Sequence, residues 1–330
     1  MLFLRCKWIS GILIVAQLET SIMKKALCLF ACFMAFQVFS QDSTFVATDI
    51  SINKLIDGTL LTPSGGKSEN LAIIIAGSGP TDRNGNQNFL KSNSLKKLAE
   101  RLSKNGIATF RYDKRIVKQI LYNNIDKNIL FDDFITDAVS VIDYFKKEGT
   151  YKNIYIIGHS QGSLVGMIAA QGRAAGFISI AGAGQSIDEV ITYQVEKTAP
   201  MFTEDTKRVF GIMKTGETTT DFPIALSSIF NIELQPFMMS WMKYKPQEEI
   251  KKLDIPILLI NGTKDLQVTV DEAQLLKDAS EQATLKIIEK MNHIMFIIEG
   301  DDLENSKSYN ESFRKLPNEL IESITNFIKQ

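Results

Sequence analysis

The sequence predicts an α/β protein with a mostly parallel central sheet flanked by helices. Three short apolar runs, at residues 71–76, 154–157 and 255–260, are rich in branched side chains and are typical of buried strands. Helix-like stretches separate these runs, and strands that alternate with helices are joined by crossovers that make neighbouring strands parallel. The 330 residues are 45% hydrophobic, which is enough for one such domain with an insertion.

The other elements are predicted from local patterns. Residues 45–61 alternate well enough for two or more antiparallel strands at the sheet edge, with Asp57-Gly58 as a hairpin turn signal. Glycine marks the ends of two helices, and Pro317 marks the start of the last one. The predicted helices cover residues 92–105, 132–148 and 318–329, and further strands cover residues 107–112, 176–181 and 284–288.

A candidate nucleophile stands between a predicted strand and a helix, in Gly158-His159-Ser160-Gln161-Gly162. In a nucleophile elbow, the serine occupies a strained turn with its hydroxyl exposed, and the following helix directs N–H groups towards developing negative charge. The flanking glycines would avoid a Cβ clash where strand and helix meet. The bare pattern arises by chance in roughly one chain in ten of this length. An ordinary glycine-rich turn is the alternative.

The sequence contains two histidines, and only one suits the role of general base. His159 is adjacent to Ser160 and would point away from the position that a base must occupy. His293 follows the predicted strand 284–288, and loops at the carboxyl ends of strands are where an open α/β sheet collects its reactive groups. If an imidazole activates Ser160, we expect it to be His293; otherwise His293 is an isolated loop histidine.

Asp265 is the candidate acid that would orient this imidazole. It follows a predicted strand and lies between Ser160 and His293, in the chain order serine, acid, histidine. Its carboxylate would hold the imidazole tautomer and stabilise the imidazolium. Asp265 could alternatively close a glycine-containing turn. The fallback acids are Asp271 and Glu272, which have the pattern of a first helical turn.

The backbone N–H groups of Ser78 and Gln161 are the candidate donors to an oxyanion. Gln161 follows the nucleophile, and Ser78 lies in the loop after the run 71–76. Glycine on both sides of Ser78 would let the backbone approach a substrate carbonyl. A phosphate-binding loop is a poor alternative because no Gly-Lys-Ser/Thr follows. Ser78 is a poor nucleophile candidate because no helix pattern begins directly behind it.

Five motifs carry a resemblance to a known family: Gly-Ser-Gly-Pro-Thr-Asp-Arg-Asn-Gly (77–85), Arg-Tyr-Asp-Lys-Arg (111–115), Gly-His-Ser-Gln-Gly (158–162), Gly-Thr-Lys-Asp (262–265) and Asn292-His293. The chain resembles the α/β-hydrolase superfamily, close to its serine aminopeptidase-like and bacterial carboxylesterase branch, from about Ile50 to Phe327. The resemblance implies an α/β-hydrolase fold with a triad of Ser160, His293 and Asp265.

The chain departs from the family pattern after residues 111–115. There the family usually continues with Gly-x-Gly-x-Ser, whereas this chain reads Ile116-Val117-Lys118-Gln119, so the loop beside the site is expected to differ. The charged residues of these motifs are expected to form a structural network rather than to bind substrate. They are Asp82, Arg83, Arg111, Asp113 and Arg115.

Residues 186–252 interrupt the alternation of strands and helices. They contain helix-like pieces, no clear strand and many methionine and aromatic residues. We predict a core of residues 41–185 and 253–330 with this segment inserted as a mainly helical cap. Most of its apolar side chains would form the cap's own small core, and a minority would line a pocket over Ser160. The candidate pocket residues are Met238, Met239, Trp241 and Met242.

The N-terminus has the pattern of an export signal. Lys24-Lys25 precedes an apolar run at 26–36, and small residues precede a predicted cleavage site before Gln41. Met23 is then the expected start, and residues 1–40 comprise an upstream segment plus the signal peptide. A transmembrane anchor is the rival interpretation, but the run is short for a span of about 20 residues. A lipoprotein signal ending at Cys32 would leave a very short apolar region.

All three cysteines, Cys6, Cys28 and Cys32, lie in this segment. The mature chain would therefore have no thiol, which excludes cysteine catalysis and cysteine metal sites. Export without a structural disulfide is compatible with a bacterial periplasm.

We therefore expect a secreted serine hydrolase, periplasmic or extracellular, that cleaves carboxylic esters of small to medium acyl groups. An aminopeptidase or acyl-peptide hydrolase with the same triad is the first alternative, and a non-catalytic binding protein of this fold is the second. The acids that could hold a peptide amine are Glu189, Glu196, Glu204 and Asp205.

We expect a small-molecule ester as the substrate and neither a metal nor an organic cofactor. The net charge of −1, without a basic patch, does not suggest a nucleic-acid partner. After signal cleavage we expect no stable membrane insertion, and the sequence makes no prediction of oligomeric state.

Overall fold

The structure is a computed structural model that describes residues 44–330. The predicted export signal, its start at Met23, its cleavage before Gln41 and the three cysteines lie outside the described residues. Within residues 44–330, no helix combines the length and the apolar character needed to cross a bilayer.

One sheet of eight strands organises the described chain, in the spatial order β1-β2-β4-β3-β5-β6-β7-β8. The first two strands are antiparallel to their neighbours, and all pairs from β4 to β8 are parallel. The predicted mostly parallel sheet is therefore confirmed. The strands are β1 Phe45–Ser51, β2 Asp57–Pro63, β3 Asn70–Ile75, β4 Ala108–Tyr112, β5 Asn153–His159, β6 Gly176–Ile180, β7 Ile257–Gly262 and β8 Ala283–Ile288.

Helices cover both faces of this sheet, and a further group of helices is inserted in the sequence between β6 and β7. The helices that follow or precede sheet strands are α1 Ser94–Lys104, α2 Arg115–Leu121, α3 Phe131–Glu148, α4 Gln161–Ala170, α10 Val270–Ala279, α11 Asp302–Ser308 and α12 Asn318–Lys329. The inserted group consists of α5 Ile187–Thr198, α6 Thr203–Lys214, α7 Ser227–Phe230, α8 Gln235–Met242 and α9 Pro246–Ile250, with short 3-10 turns at Pro200–Phe202 and Ile224–Leu226.

Apolar side chains are buried on both faces of the sheet, which explains why its central strands are continuous apolar runs. In β3, Leu71 and Ile73 join one cluster with side chains of α3 and α4. Ala72 and Ile74 point to the other face and join a second cluster with side chains of α1 and α12. The carboxyl ends of the parallel strands are thus held in one rigid edge.

The predicted hairpin turn at Asp57-Gly58 is wrong, because these residues begin β2. The turn lies between the two strands, at residues 52–56. There the side-chain oxygen of Asn53 accepts hydrogen bonds from the N–H groups of Leu55 and Ile56. Gly58 is needed for a different reason: a Cβ there would lie 2.2 Å from Cζ of Phe110 on the neighbouring strand. Close packing, rather than a turn, explains this glycine.

Two helices were not predicted from the sequence. Helix α2 begins at Arg115, directly where the chain departs from the family pattern, and Lys118 within it forms an ion pair with Asp57. Helix α11 begins after Asp301, whose carboxylate accepts hydrogen bonds from two N–H groups of the first turn. Both helices have only seven residues, so neither shows a periodic pattern long enough to recognise.

The inserted helices have their own apolar cluster, which includes Val209, Phe210 and Phe230. Helix α8 is also attached to the main domain through α3. The indole of Trp241 stacks on the ring of Phe131 with centroids 5.4 Å apart and planes at 6°. The N–H of Phe131 donates to the hydroxyl of Ser240 over 2.8 Å. This helix therefore packs on α3 through both apolar and polar contacts.

We predict that Phe131→Ala lowers the free energy of unfolding by about 3–5 kcal/mol, because Phe131 is fully buried and the substitution leaves a cavity between α3 and α8. Urea unfolding of the purified protein measures this loss. Phe89→Ala is the matched control, since Phe89 is 87% exposed and its removal should change stability by less than about 0.5 kcal/mol. Equal effects of the two variants would contradict the described packing.

Candidate active site

Ser160 lies between β5 and α4 in a backbone conformation that few residues adopt. Its φ is 54° and its ψ is −122°, which is a strained region for a residue with a side chain. Its N–H donates to the carbonyl of Ile180 over 2.9 Å, and its carbonyl accepts from the N–H of Ser163 over 2.8 Å. These bonds hold the turn between the end of β5 and the start of α4 in the geometry of a nucleophile elbow.

The two glycines that flank Ser160 permit this turn. A Cβ on Gly158 would lie 2.3 Å from the carbonyl oxygen of Gly162, and a Cβ on Gly162 would lie 2.4 Å from the carbonyl oxygen of Ile75. Both contacts are with backbone atoms, which cannot move aside as a flexible side chain would. Helix α4 therefore packs directly on the backbones of β3 and β5.

His293 and Asp265 are brought together as a hydrogen-bonded pair. Nδ1 of His293 lies 2.8 Å from Oδ2 of Asp265, and both side chains are buried. The other carboxylate oxygen, Oδ1, accepts from the N–H groups of Gln267 and Val268. Because a carboxylate can only accept, Nδ1 carries the proton, and Nε2 of a neutral ring is left to act as a base.

The fallback acids lie elsewhere. Asp271 is exposed at the start of α10. Glu272 is buried, but its carboxylate accepts from the N–H groups of Gly184 and Gln185 and so holds the loop after β6. Of the three candidate acids, Asp265 is the one that contacts His293.

Ser160 and His293 border the same cavity, of about 190 Å³. Within the described part of the chain, the hydroxyl of Ser160 makes no hydrogen bond to the His293 ring. Such contacts are often long in ligand-free sites and tighten when substrate binds. The other lining residues are polar or small for the most part and include Thr81, Gln87, Ser92, Ser94 and Tyr309.

His159, which sequence reasoning set aside, contacts the backbone of His293. Its Nε2 lies 2.8 Å from the carbonyl oxygen of His293, so this nitrogen must donate. Burial, assisted by the nearby His293, lowers the pKa of His159 to about 4, and the ring is therefore neutral near pH 7. The elbow and the loop of His293 are thus joined directly. The only sequence signal for this role is the position of His159 beside Ser160.

Helix α11 joins the loops that carry Asp265 and His293. The amide nitrogen of Asn292 donates to Asn305 and Ser308, each over 2.9 Å. The amide of Asn305 donates in turn to the carbonyl of Lys264 over 2.7 Å. These buried side chains fix the residue before each member of the pair. No sequence motif indicated Asn305 or Ser308, because α11 itself was not predicted.

A second cavity, of about 320 Å³, also borders Ser160. Ser78 borders both cavities, whereas Gln161 borders only this one. The lining includes an apolar group contributed largely by α5 and α8: Leu164, Ile187, Val190, Ile191, Trp241 and Val268. Both candidate oxyanion residues are therefore next to Ser160.

Of the four candidate pocket residues, Trp241 lines this second cavity. Met238 lies in the apolar cluster of the inserted helices, and Met239 and Met242 pack against that cluster. Helical geometry accounts for this division, since neighbouring positions on α8 face different sides.

Three of the five charged residues of the sequence motifs, Arg83, Asp113 and Arg115, form ion pairs, and none of the five lines either cavity. Arg111 instead donates to the side-chain oxygen of Asn84, and Asp82 accepts from the N–H groups of Asn84 and Asn86. Arg83 contacts Asp113 through its N–H, Nε and Nη2. Arg115 contacts Asp137 through two parallel hydrogen bonds of 2.8 Å and also reaches Asp133. This agrees with the predicted structural network.

Lys114, between these pairs, was missed by sequence reasoning. It is buried, and its ammonium donates to the carbonyl of Gly77 over 3.0 Å and to the side-chain oxygen of Gln161 over 2.7 Å. Both partners belong to the segments that carry the candidate oxyanion donors. Across residues 44–330, no group of three or more histidine, cysteine or acidic side chains is arranged to hold a metal ion.

Comparison with known proteins connects this geometry to a family. Residues 90–212 match the family model described as serine aminopeptidase, S33. Esterase EstD of Thermotoga maritima is 28% identical over 268 residues, which cover 78% of this chain and 62% of the esterase. The chain thus spans less than two thirds of that relative's length.

Two solved structures share the fold. Est1E from Butyrivibrio proteoclasticus superposes with a TM-score of 0.54 at 17% identity, covering 86% of this chain and 99% of Est1E. The Pyrococcus furiosus esterase Pf2001 superposes with a TM-score of 0.50 at 15% identity, covering 86% of this chain and 90% of that protein. At these identities the similarity establishes the fold.

We predict that Gly162→Ala lowers the free energy of unfolding by about 1–3 kcal/mol, because its Cβ would overlap the carbonyl of Ile75. Gly65→Ala is the matched control, because nothing lies within 4 Å of the added Cβ. Urea unfolding of both variants distinguishes them. A Gly162→Ala variant as stable as the control would show that α4 does not pack on β3 as closely as described.

Proposed function

We propose that the chain is a member of the α/β-hydrolase superfamily and an exported serine hydrolase that cleaves carboxylic esters of small to medium acyl groups. The observation that carries the proposal is the buried His293–Asp265 pair beside the cavity that Ser160 borders.

Export rests on the sequence pattern of residues 24–40. N-terminal sequencing of the processed protein tests it, and a mature chain that retains residues 24–40 would refute signal cleavage.

In the proposed reaction, Ser160 is the nucleophile. Nε2 of His293 takes the hydroxyl proton as the oxygen of Ser160 bonds to the ester carbonyl carbon, and Asp265 stabilises the imidazolium. The N–H groups of Ser78 and Gln161 stabilise the oxyanion. When the carbon–oxygen bond breaks, His293 returns the proton to the alcohol that leaves. Water, activated by the same histidine, then releases the acid from Ser160.

The two cavities suggest how an ester would lie. His293 must reach the leaving oxygen, and it borders the cavity of about 190 Å³, so the alcohol part belongs there. The acyl part then enters the cavity of about 320 Å³, whose apolar wall includes Trp241 and Val190. This volume is at the lower end of ordinary ligand pockets, which supports small to medium acyl groups.

The charge distribution favours an ester over a peptide with a free amine. Among residues 44–330, neither cavity is lined by a carboxylate that could pair with an ammonium group. The four acids considered from the sequence serve other contacts or are exposed. Glu189 caps α5 through Ser186, Glu204 pairs with Lys207, Asp205 pairs with Arg208, and Glu196 is exposed on α5.

We predict that the protein hydrolyses p-nitrophenyl esters, with the highest kcat/KM among short to medium acyl chains, and that it hydrolyses aminoacyl p-nitroanilides far more slowly. Ser160→Ala should lower kcat at least about 10³-fold, because only substrate binding and the oxyanion donors then support the residual rate. A fluorophosphonate probe should label the wild type and spare Ser160→Ala.

Three outcomes would refute this proposal in different ways. Preference for the anilides would indicate an aminopeptidase. Full activity in Ser160→Ala would place the chemistry elsewhere. Absence of both hydrolysis and labelling would indicate a non-catalytic binding protein.

Asp265→Asn in the same ester assay should lower kcat about 10⁴-fold, because an amide permits the wrong imidazole tautomer.

A further inference from the structure

Lys114 is a buried cation that has no carboxylate partner within the described part of the chain, residues 44–330. It lies between β4 and α2 and is only 5% exposed. Its Nζ donates to the carbonyl of Gly77 and to the side chain of Gln161, and it lies 4.2 Å from the centre of the Phe134 ring. These three neighbours account for an ammonium's three donors, two by hydrogen bonds and one by a cation–π contact.

Burial makes this arrangement costly for the fold. An ammonium that leaves water without an opposite charge loses solvation that neutral oxygens restore only in part. Asp137, whose charge favours the protonated lysine, is held by Arg115 through two hydrogen bonds. Stability alone would be served better by an apolar side chain of similar length.

Both hydrogen bonds of Lys114 are to segments that carry the candidate oxyanion donors. The carbonyl of Gly77 belongs to the same peptide group as the N–H of Ser78. The amide that accepts the second bond belongs to Gln161, whose own N–H is the other donor. Lys114 lines neither cavity, so it reaches these segments from the side away from the substrate.

We propose that Lys114 is a positioning residue for the oxyanion hole, which holds the Gly77–Ser78 peptide and Gln161 in place and polarises the Ser78 N–H. This inference rests on the proposed function. A cation bound to a carbonyl draws electron density from the peptide and strengthens the hydrogen bond that its N–H donates, because linked hydrogen bonds polarise one another. The added stabilisation acts on the oxyanion, which exists only as the reaction proceeds, so it raises kcat more than it lowers KM.

The effect should depend on pH. Three elements face the ammonium: α3 provides Phe134 and Asp137, the loop after β3 provides the neutral carbonyl of Gly77, and α4 provides the neutral amide of Gln161. Arg115, the next residue, is occupied by Asp137 and Asp133. Burial lowers the pKa of Lys114 to about 7, against a partial rise from Asp137. The charged form is therefore lost as pH rises through about 7.

Activity and stability should respond to this titration in opposite directions. Loss of the charge removes polarisation, so kcat gains a falling component above about pH 7. The unfolded chain holds its lysine proton up to about pH 10.5, so between about 7 and 10.5 it binds more protons than the folded chain. The free energy of unfolding therefore rises with pH across that interval, and this contribution is lost as pH falls through about 7.

We predict that Lys114→Met lowers kcat on p-nitrophenyl acetate roughly 10- to 100-fold at pH 6.5, less than the 10²–10³-fold loss typical of removing an oxyanion donor. KM should stay within about twofold. The variant should lose the falling component of kcat above about pH 7 and the rise of unfolding free energy between pH 7 and 10. Lys277→Met is the control, since Lys277 is partly buried and also donates to backbone carbonyls, those of Ser280 and Glu281, but lines neither cavity.

The outcomes separate this inference from the proposed function. If the wild type does not hydrolyse the ester, the proposed function fails. If the wild type is active and Lys114→Met has the same kcat and the same pH profile, the role of Lys114 is refuted. If Lys114→Met does not fold, the wild type decides: its affinity for a trifluoromethyl ketone, which forms an oxyanion on Ser160, should weaken as pH rises through about 7. A pH-independent affinity there would refute it.

Discussion

The contact of α4 with the backbones of β3 and β5 is the constraint on which the site depends. It is possible only because Gly158 and Gly162 have no Cβ, and it forces Ser160 into a strained turn. The same contact sets the N-terminus of α4 beside the loop after β3. Ser78 and Gln161 therefore line one cavity together with Ser160, and the side chain of Gln161 comes within reach of Lys114. The strain at one serine is maintained by a rigid packing of three elements.

Two buried groups of opposite charge flank a site whose two cavities, as far as residues 44–330 line them, contain no aspartate, glutamate, lysine or arginine. Asp265 lies behind His293, and Lys114 lies behind the candidate oxyanion donors. A negative group behind the ring that becomes an imidazolium and a positive group behind the peptide that faces an oxyanion both favour the charge separation of an acyl transfer. Neither group would need to touch substrate, so a neutral ester would meet a neutral pocket.

The sequence indicated the parts of this site that have their own motif. Ser160 was recognisable from its glycines, His293 from the scarcity of histidine, and Asp265 from chain order. Lys114, His159 and Asn305 were not, because their partners are 37, 134 and 41 residues away in sequence. The same holds for the fold: apolar runs revealed the central strands, whereas Gly58 resembled a turn residue because the ring of Phe110 that it faces lies on another strand. Contacts between distant segments leave no local pattern.

The side chain of Trp241 both packs against the main domain and lines a cavity. One face of its indole stacks on Phe131 at the base of α3, and the side chain also lines the cavity proposed for the acyl group. A smaller residue there would widen the cavity and remove the stack together. Adaptation to bulkier acyl groups is therefore coupled to a loss of folding stability, and a lineage that broadened its substrate range at this position would need a compensating change between α3 and α8.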